Sequence, residues 1–323
     1  MMMRATWVRS SWVVGQLVLM AWLVAGCGNS TARASARPQQ LPANPAAKVL
    51  PLTVVRQGPK VSAYVRVAIE GQSLLFKVDT GSARTVISSH VARALHLPER
   101  GDALTAATLG CAVRSQPVYV AEWRLGNLDL PKLAIVSQTT VDTGSKVNGT
   151  VVSGLLGSDI LSRLGTVTLN FARHRLVVGG DEEPRGQVVA MRTTHNRVGG
   201  VGETVQATVN KRPGEWLIDT GAQATLLAGR AAARLGARPL GPSVVAFGAG
   251  GCSTRVAPVG IDTWSADGVA LPPTAAISAP TAKLASPTGQ QIDGVIGADV
   301  LGRFASVTFD FAADRLILSR PQT

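Results

Sequence analysis

The pattern of apolar and polar positions predicts strands that lead into tight turns. Near the start of the patterned region, apolar residues alternate with small or polar ones, at Val61, Ala63, Val65, Val67 and Ile69. This period of two is typical of a half-buried β-strand. A turn signal at residues 70–72 and a second apolar run at 74–78 then predict a hairpin. Residues 88–97 predict one short helix.

Composition favours an all-β fold of substantial size. The chain has 323 residues, 46% of them hydrophobic, which suffices for two lobes with real cores and excludes a disordered protein. Valine, glycine and threonine are plentiful, and long charged helical patterns are absent. We therefore expect two β lobes with few short helices.

The turn at the end of the first hairpin occurs twice. Residues 76–87 and 216–227 follow the same rule: apolar, Asp-Thr-Gly, a small residue, two variable residues, Thr and two apolar residues. The repeat places Asp79 and Asp219 at matching positions, 140 residues apart. Two carboxylates presented by matching turns suggest an active site built on paired acids. The alternative is a duplicated β domain in which each Asp serves its own turn.

Other segments repeat at the same interval and divide the chain. Residues 154–163 match 294–303, and residues 166–176 match 306–316. A further match, 110–114 with 251–255, is offset by one more residue. These repeats predict an N-terminal lobe at 51–180 and a C-terminal lobe at 181–323, with a polar joint around 179–186.

A third Asp-Thr-Gly, at residues 142–144, serves as an internal comparison. It follows polar residues rather than an apolar strand, and it has no counterpart 140 residues further on. We interpret it as a loop. The tripeptide alone is thus weak evidence, whereas the tripeptide with its flanks and its repeat is strong.

The N-terminal segment predicts export. Residues 1–26 form a leader with two arginines and an apolar run at 12–23 that is short for a membrane span. The residues before Cys27 resemble the lipobox of bacterial lipoproteins, which implies cleavage there, a lipid on this thiol and, with glycine next, the outer membrane facing the periplasm. An ordinary secretory leader is the alternative. Residues 27–50 lack apolar periodicity and predict a flexible tether.

The repeated turns resemble those of aspartic peptidases, specifically the retropepsin-like bacterial group in a tandem single-chain form. The resemblance spans nearly the whole mature chain and implies two retropepsin-like β-barrel lobes, related by a pseudo-twofold axis, with the active-site cleft between them. It also includes two later apolar-apolar-Gly elements that pack beside the catalytic turns: Leu155, Leu156 and Gly157, and Val295, Ile296 and Gly297. A short helix is expected after each, and we interpret Asp159 and Asp299 there as helix caps.

The resemblance implies a role for each position of the two turns. Asp79 and Asp219 are the implied catalytic pair, sharing one proton and activating a water without metal or cofactor. The implied supporting residues are Thr80, Gly81 and Ser82 in one turn and Thr220, Gly221 and Ala222 in the other. The threonines are expected to bond across the lobes. If the Ser82 hydroxyl bonds the adjacent carboxylate, Asp79 is the ionised partner and Asp219 the proton carrier.

The middle of each lobe is expected to supply a flap over the cleft. The candidate flap residues are Leu109, Gly110, Cys111, Phe247, Gly248, Gly250 and Gly251. Cys111 and Cys252 occupy matching places, and export permits a disulfide between them. Two free thiols are the alternative, because spacing does not establish the required distance.

The distribution of charge and the spacing of histidines argue against nucleic-acid binding and metal binding. The formal net charge is +12, but Lys and Arg are scattered without interleaved aromatics, so we expect no nucleic-acid partner. The four histidines show no metal spacing. The sequence thus predicts a monomeric aspartic endopeptidase acting on protein or peptide, with no cofactor, and attached to the membrane through Cys27. The rival is a binding module of the same fold, and a third possibility is that each lobe pairs with another chain.

Overall fold

Strands dominate the structure. It is a computed structural model that describes residues 47–108, 111–139, 145–180, 185–197, 199–247, 253–280 and 284–320. The predicted leader, most of the tether and the third Asp-Thr-Gly lie outside these ranges. No helix among the described residues is long and apolar enough to cross a membrane.

The N-terminal lobe contains strands separated by short turns and two short helices. Its strands are β1 (Lys48–Pro51), β2 (Thr53–Gln57), β3 (Lys60–Ile69), β4 (Gln72–Asp79), β5 (Val86–Ser88), β6 (Leu104–Thr108), β7 (Cys111–Val120), β8 (Trp123–Leu125), β9 (Leu128–Asp129), β10 (Leu133–Gln138), β11 (Lys146–Val147), β12 (Thr150–Gly157), β13 (Thr166–Asn170) and β14 (Arg175–Val178). Its helices are α1 (Ser89–Ala94) and α2 (Ser158–Leu161), the latter followed by a 3-10 turn at Ser162–Leu164.

The C-terminal lobe repeats this order with few changes. Its strands are β15 (Gln187–His195), β16 (Val201–Val209), β17 (Arg212–Asp219), β18 (Leu226–Ala228), β19 (Arg238–Pro239), β20 (Val244–Phe247), β21 (Ser253–Ile261), β22 (Trp264–Ala266), β23 (Val269–Ala270), β24 (Thr274–Ala279), β25 (Leu284–Ala285), β26 (Gln291–Ile292), β27 (Gly294–Gly297), β28 (Ser306–Asp310) and β29 (Arg315–Leu318). Its helices are α3 (Gly229–Arg234) and α4 (Ala298–Leu301). The predicted all-β class with few short helices is confirmed.

The predicted hairpin and helix are both present in the first lobe. Strands β3 and β4 pair antiparallel from Tyr64 opposite Lys77 to Ile69 opposite Gln72. The hairpin thus ends at Asp79, as its alternating pattern predicted. Helix α1 begins one residue later than expected, because the Ser88 hydroxyl caps it by accepting a hydrogen bond from the Val91 amide at 3.2 Å.

Each lobe places a third strand beside the one that carries the Asp. Strand β12 runs parallel to β4, with Gly157 opposite Asp79, and antiparallel to β5. Strand β27 pairs with β17 and β18 in the same way, with Gly297 opposite Asp219. The apolar-apolar-Gly elements therefore pack beside the two turns, where the resemblance placed them.

A sheet shared by the two lobes joins them. Its strand order begins β1, β14, β13, β28, β29 and β15 and continues through β16 and β17 in the C-terminal lobe; the lobes meet where β13 pairs antiparallel with β28. Thr168 lies opposite Thr308 at the centre of that pairing, with their hydroxyls 2.8 Å apart. Because these residues are equivalent in the repeat, the pseudo-twofold axis passes between them.

The predicted tether extends too far toward the lobe. Residues 48–50 belong to β1, which pairs with β14 along its whole length. The pattern did not predict this strand because it is short and lies at the edge of the sheet, with Val49 exposed and Leu50 buried. Leu50 packs against Gly126, where an added Cβ would come within 2.2 Å of its side chain. Residues 48–50 therefore belong to the folded part of the chain and not to the predicted tether.

We expect Leu50→Ala to destabilise the protein and Val49→Ala to leave it nearly unchanged. Truncating a buried leucine typically costs about 2–5 kcal/mol, whereas the Val49 side chain is 54% exposed. Thermal unfolding of the two variants, followed by circular dichroism, measures the difference. Equal melting temperatures for both would show that β1 does not contribute to the folded core.

Candidate active site

Asp79 and Asp219 end equivalent strands and meet at the centre of the molecule. Both side chains are fully buried. A Cβ added to Gly81 would lie 2.1 Å from Cγ of Asp219, and one added to Gly221 would lie 2.1 Å from Cγ of Asp79. Each carboxyl group therefore packs directly against the backbone of the opposite turn, and no side chain larger than hydrogen fits at either glycine. The structure brings the two predicted acids together.

The threonines of the two turns exchange hydrogen bonds across the interface. Thr80 donates its amide to the Thr220 hydroxyl at 3.1 Å, and Thr220 donates its amide to the Thr80 hydroxyl at 3.0 Å. Each hydroxyl also donates to a strand carbonyl of the opposite lobe, that of Ile218 at 2.8 Å or Val78 at 3.0 Å. These four reciprocal bonds hold both turns in register, as the resemblance implied.

The two carboxyl groups differ in their donors. Asp219 Oδ1 accepts hydrogen bonds from the amides of Gly221 at 2.8 Å and Ala222 at 2.9 Å. Within the described part of the chain, neither carboxyl oxygen of Asp79 has a donor. The Ser82 hydroxyl instead donates to the Arg84 carbonyl at 2.7 Å. The expected bond from Ser82 to the carboxylate is therefore wrong, because a closer acceptor lies two residues further along the chain.

Burial and mutual repulsion make the pair retain a proton. Desolvation raises the pKa of Asp79 well above its ordinary value, and the charge of Asp219 raises it further. Burial also raises the pKa of Asp219, but its two backbone donors oppose that rise. The arrangement therefore favours a protonated Asp79 beside an ionised Asp219. Since the groups are coupled, they titrate as one unit.

A second pair of acids supports the turns and was misinterpreted from the sequence. Asp159 accepts hydrogen bonds from both the amide and the hydroxyl of Thr85, each at 2.7 Å. Asp299 accepts from the hydroxyls of Thr225 at 2.9 Å and Thr274 at 2.8 Å. Neither α2 nor α4 has a side-chain cap, so the prediction of helix capping is wrong. These acids instead connect the second threonine of each repeated turn segment, Thr85 or Thr225, to the helix after the apolar-apolar-Gly element, α2 or α4.

Lys77 is a site residue that sequence reasoning missed. It lies two positions before Asp79 on β4, is only 5% exposed, and its Nζ donates a hydrogen bond to the carbonyl of Gly221 in the opposite turn. Burial lowers the pKa of Lys77, and the charges of Asp79 and Asp219 oppose that change. The equivalent position in the second lobe is Leu217. The signal in the sequence that could have identified Lys77 is this difference between a charged and an apolar residue at equivalent positions.

Sequence reasoning also missed Glu203, which is another position where the two copies of the repeat differ. This fully buried residue on β16 occupies the place of Ala63 in the first lobe. Its Oε2 accepts a hydrogen bond from the Ser158 hydroxyl at 2.8 Å, and the same hydroxyl lies 2.9 Å from the Thr80 carbonyl. Desolvation raises the pKa of Glu203 to about 8. An additional neutral acid therefore lies next to the support of the first turn at pH 7.

The predicted flaps are described only in part. Hairpins β6–β7 and β20–β21 occupy the expected places in the two lobes. The predicted flap residues at their tips, 109–110 and 248–251, lie outside the described residues, as do the side chains of Cys111 and Phe247 and all of Cys252. The possible disulfide thus stays a prediction. In the described ranges, no group of three His, Cys, Asp or Glu side chains is arranged to hold a metal ion.

Comparisons with known proteins agree with this geometry. A model of the aspartyl protease family matches the chain twice, over residues 65–160 and 205–300. A search of curated proteins finds no match. Solved structures do match, among them the crystal structure of the aspartic proteinase from Irpex lacteus, with 14% identity, a TM-score of 0.50, and coverage of 86% of this chain and 98% of that chain. At this identity the likeness concerns the fold.

The two family matches together span more than half of the chain, and each contains one of the two repeated Asp-Thr-Gly turns with its apolar-apolar-Gly partner. The chain belongs to the aspartyl protease family, in a form that carries both halves of the site in one polypeptide.

Proposed function

We propose that this protein is a single-chain aspartic endopeptidase that cleaves protein or peptide substrates, with Asp79 and Asp219 as its catalytic residues. The observation that carries the proposal is the pair of buried carboxyl groups on two turns locked together by reciprocal threonine bonds. Two acids in this position cannot both ionise at low cost, so one is a base while the other keeps a proton. A binding module has no need of such a pair.

The geometry suggests which acid performs which step. Asp219, ionised and stabilised by two backbone amides, takes a proton from the attacking water. Asp79, protonated, donates to the oxygen of the peptide carbonyl. This reverses the roles expected from Ser82. The resulting diol then breaks down: Asp219 gives its newly gained proton to the nitrogen, Asp79 takes a proton from one diol hydroxyl, and the carbon–nitrogen bond breaks, which restores both acids.

Substrate access requires movement. Both catalytic carboxyl groups are fully buried, so a peptide cannot touch them unless the groups above them separate. Catalysis in a site of this kind benefits from the same enclosure, because excluding bulk water strengthens the electrostatic contacts of the reacting groups. We infer that opening and closing accompanies each turnover.

We further propose that the protein acts in the cell envelope, attached through a lipid on Cys27. The support is the leader at residues 1–26 and its resemblance to a lipobox. Anchoring the thiol would place the folded lobes at the end of a short tether, which ends before Lys48. Such a protease is expected to meet exported proteins and peptides.

Asparagine substitutions test the catalytic assignment. We expect Asp79→Asn and Asp219→Asn each to lower kcat by roughly 10²–10⁴-fold, because each removes one partner of an acid–base pair. Asp142→Asn, in the third Asp-Thr-Gly, is the matched control and should retain full activity. Cleavage of a diverse peptide mixture, with the products sequenced by mass spectrometry, measures all three. Peptide binding without cleavage by the unaltered protein would favour the binding module.

The buried acid beside the first turn predicts a pH-dependent stability. Because the pKa of Glu203 is about 8 in the folded protein and 4.5 ordinarily, its contribution is fully present below pH 4.5 and is lost as the pH rises toward 8. Glutamine cannot ionise, so Glu203→Gln should gain stability relative to the unaltered protein as the pH rises. We expect the difference in their free energies of unfolding to change by about a few kcal/mol, in favour of the variant, between pH 4.5 and pH 8.5.

Exposed Glu99 supplies the control for that measurement. Glu99→Gln should change the melting temperature equally at the two pH values. A Glu203→Gln variant whose advantage is the same at pH 4.5 and 8.5 would mean that Glu203 is not held neutral by the fold.

Lipid attachment can be tested independently of activity. We expect the expressed protein to partition into detergent and its Cys27→Ser variant to partition into water, because a covalent lipid adds about 0.8 kcal/mol for each buried CH₂ group. Intact mass of the mature N-terminus provides the direct measurement. A mature chain that lacks a lipid mass would support the ordinary secretory leader instead.

A further inference from the structure

Lys77 lies in a position that none of the catalytic steps above uses. It shares its face of β4 with Asp79, because residues two apart on a strand point the same way. Its ammonium reaches the opposite lobe and donates to the carbonyl of Gly221. The Cα of that glycine is in contact with the Asp79 carboxyl group. Lys77 therefore touches the backbone on which the first acid rests.

A buried ammonium needs a negative charge nearby, since burying an unpaired charge is costly. The charges that act on Lys77 are those of Asp79 and Asp219. When the acid pair holds one proton, its single negative charge and the ammonium cancel. The cluster is then neutral as a whole, which suits its complete burial.

We propose that Lys77 is a positioning residue of the active site: it ties the second turn to the first lobe and balances the single negative charge of the catalytic pair. This inference rests on the proposed function for its effect on catalysis. Its effect on the protonation of the pair does not depend on cleavage. The peptide chemistry remains with the two acids.

The surrounding ionisable groups are few. Tyr64 lies opposite Lys77 on the neighbouring strand β3. From β16, Glu203 is neutral at pH 7, because burial raises its pKa to about 8; the charge of Asp219 raises that pKa a little further. Asp159 and Asp299 are held by threonine hydroxyls. Among the described residues that act on the pair, Lys77 is thus the source of positive charge.

The two copies of the repeat make the proposal specific to one lobe. Leu217 takes the place of Lys77 in the second lobe and is fully buried. A symmetric pair of lysines would place two positive charges against one negative charge. A chain that encodes both halves separately can keep one lysine, and the acids then become unequal in their surroundings.

The test is Lys77→Met, with Leu217→Met as its matched control. A positive charge near a carboxyl lowers its pKa, so removing it raises the pH at which the pair gains and loses its protons. We expect both limbs of the pH profile of kcat/KM to move upward by roughly 1–3 pH units in Lys77→Met. Leu217→Met should leave both limbs in place. Limbs that stay fixed in a folded Lys77→Met protein would overturn the proposal.

A spectroscopic measurement separates this inference from the proposed function. The ¹³C shifts of the Asp79 and Asp219 carboxyl groups, assigned with the two asparagine variants, follow the protonation of the pair even if no peptide is cleaved. We expect the same upward movement of the titration in Lys77→Met. Should that variant fail to fold, the ¹⁵Nζ shift of Lys77 in the unaltered protein decides. A neutral amine at a pH where the pair holds one proton would refute the proposal.

Discussion

The close contact of two equivalent turns is the constraint on which the rest of the structure depends. A Cβ on either central glycine would lie 2.1 Å from the opposite carboxyl carbon, and each threonine beside them donates its amide to the hydroxyl of the other threonine. Such contact is possible only if the ends of strands β4 and β17 both lie next to the pseudo-twofold axis. The shared sheet enforces this, since Thr168 and Thr308 meet on that axis as well. The shared sheet and the two lobes thus hold the two Asp-Thr-Gly turns against each other.

Symmetry places the acids, and departures from it distinguish them. Two backbone amides donate to Asp219 at 2.8 and 2.9 Å, whereas the Ser82 amide lowers the pKa of Asp79 without reaching either carboxyl oxygen at hydrogen-bond distance. Lys77 and Glu203 each replace an apolar residue of the other lobe; Lys77 bonds to the second turn, and Glu203 bonds to Ser158 beside the first. A protein made of two identical chains must place every charge twice. A tandem chain is free of that requirement and can assign base and acid permanently.

The repeat allowed much of this to be predicted from sequence, and what it could not predict has a physical reason. Hairpin β3–β4 followed from its alternating pattern, and the class followed from composition. The bonds of Asp159 and Asp299 to threonines 74 residues away did not, because a local pattern reports the helix start and not a distant partner. Lys77 also escaped notice, since a lysine within a strand ordinarily marks a solvated position. Comparing the two copies residue by residue, and asking where one is charged and the other apolar, would have identified it.

Complete burial connects stability to function in this site. The acids at the centre cost free energy to bury, and that cost is lowest when they carry one negative charge beside one ammonium. A peptide can reach the pair only when the groups that enclose it separate. A pair that holds one proton therefore suits the enclosed site, and the same state provides the base and the acid that the proposed attack by water needs. The enclosed pair thus holds the charge state with which the proposed reaction would begin.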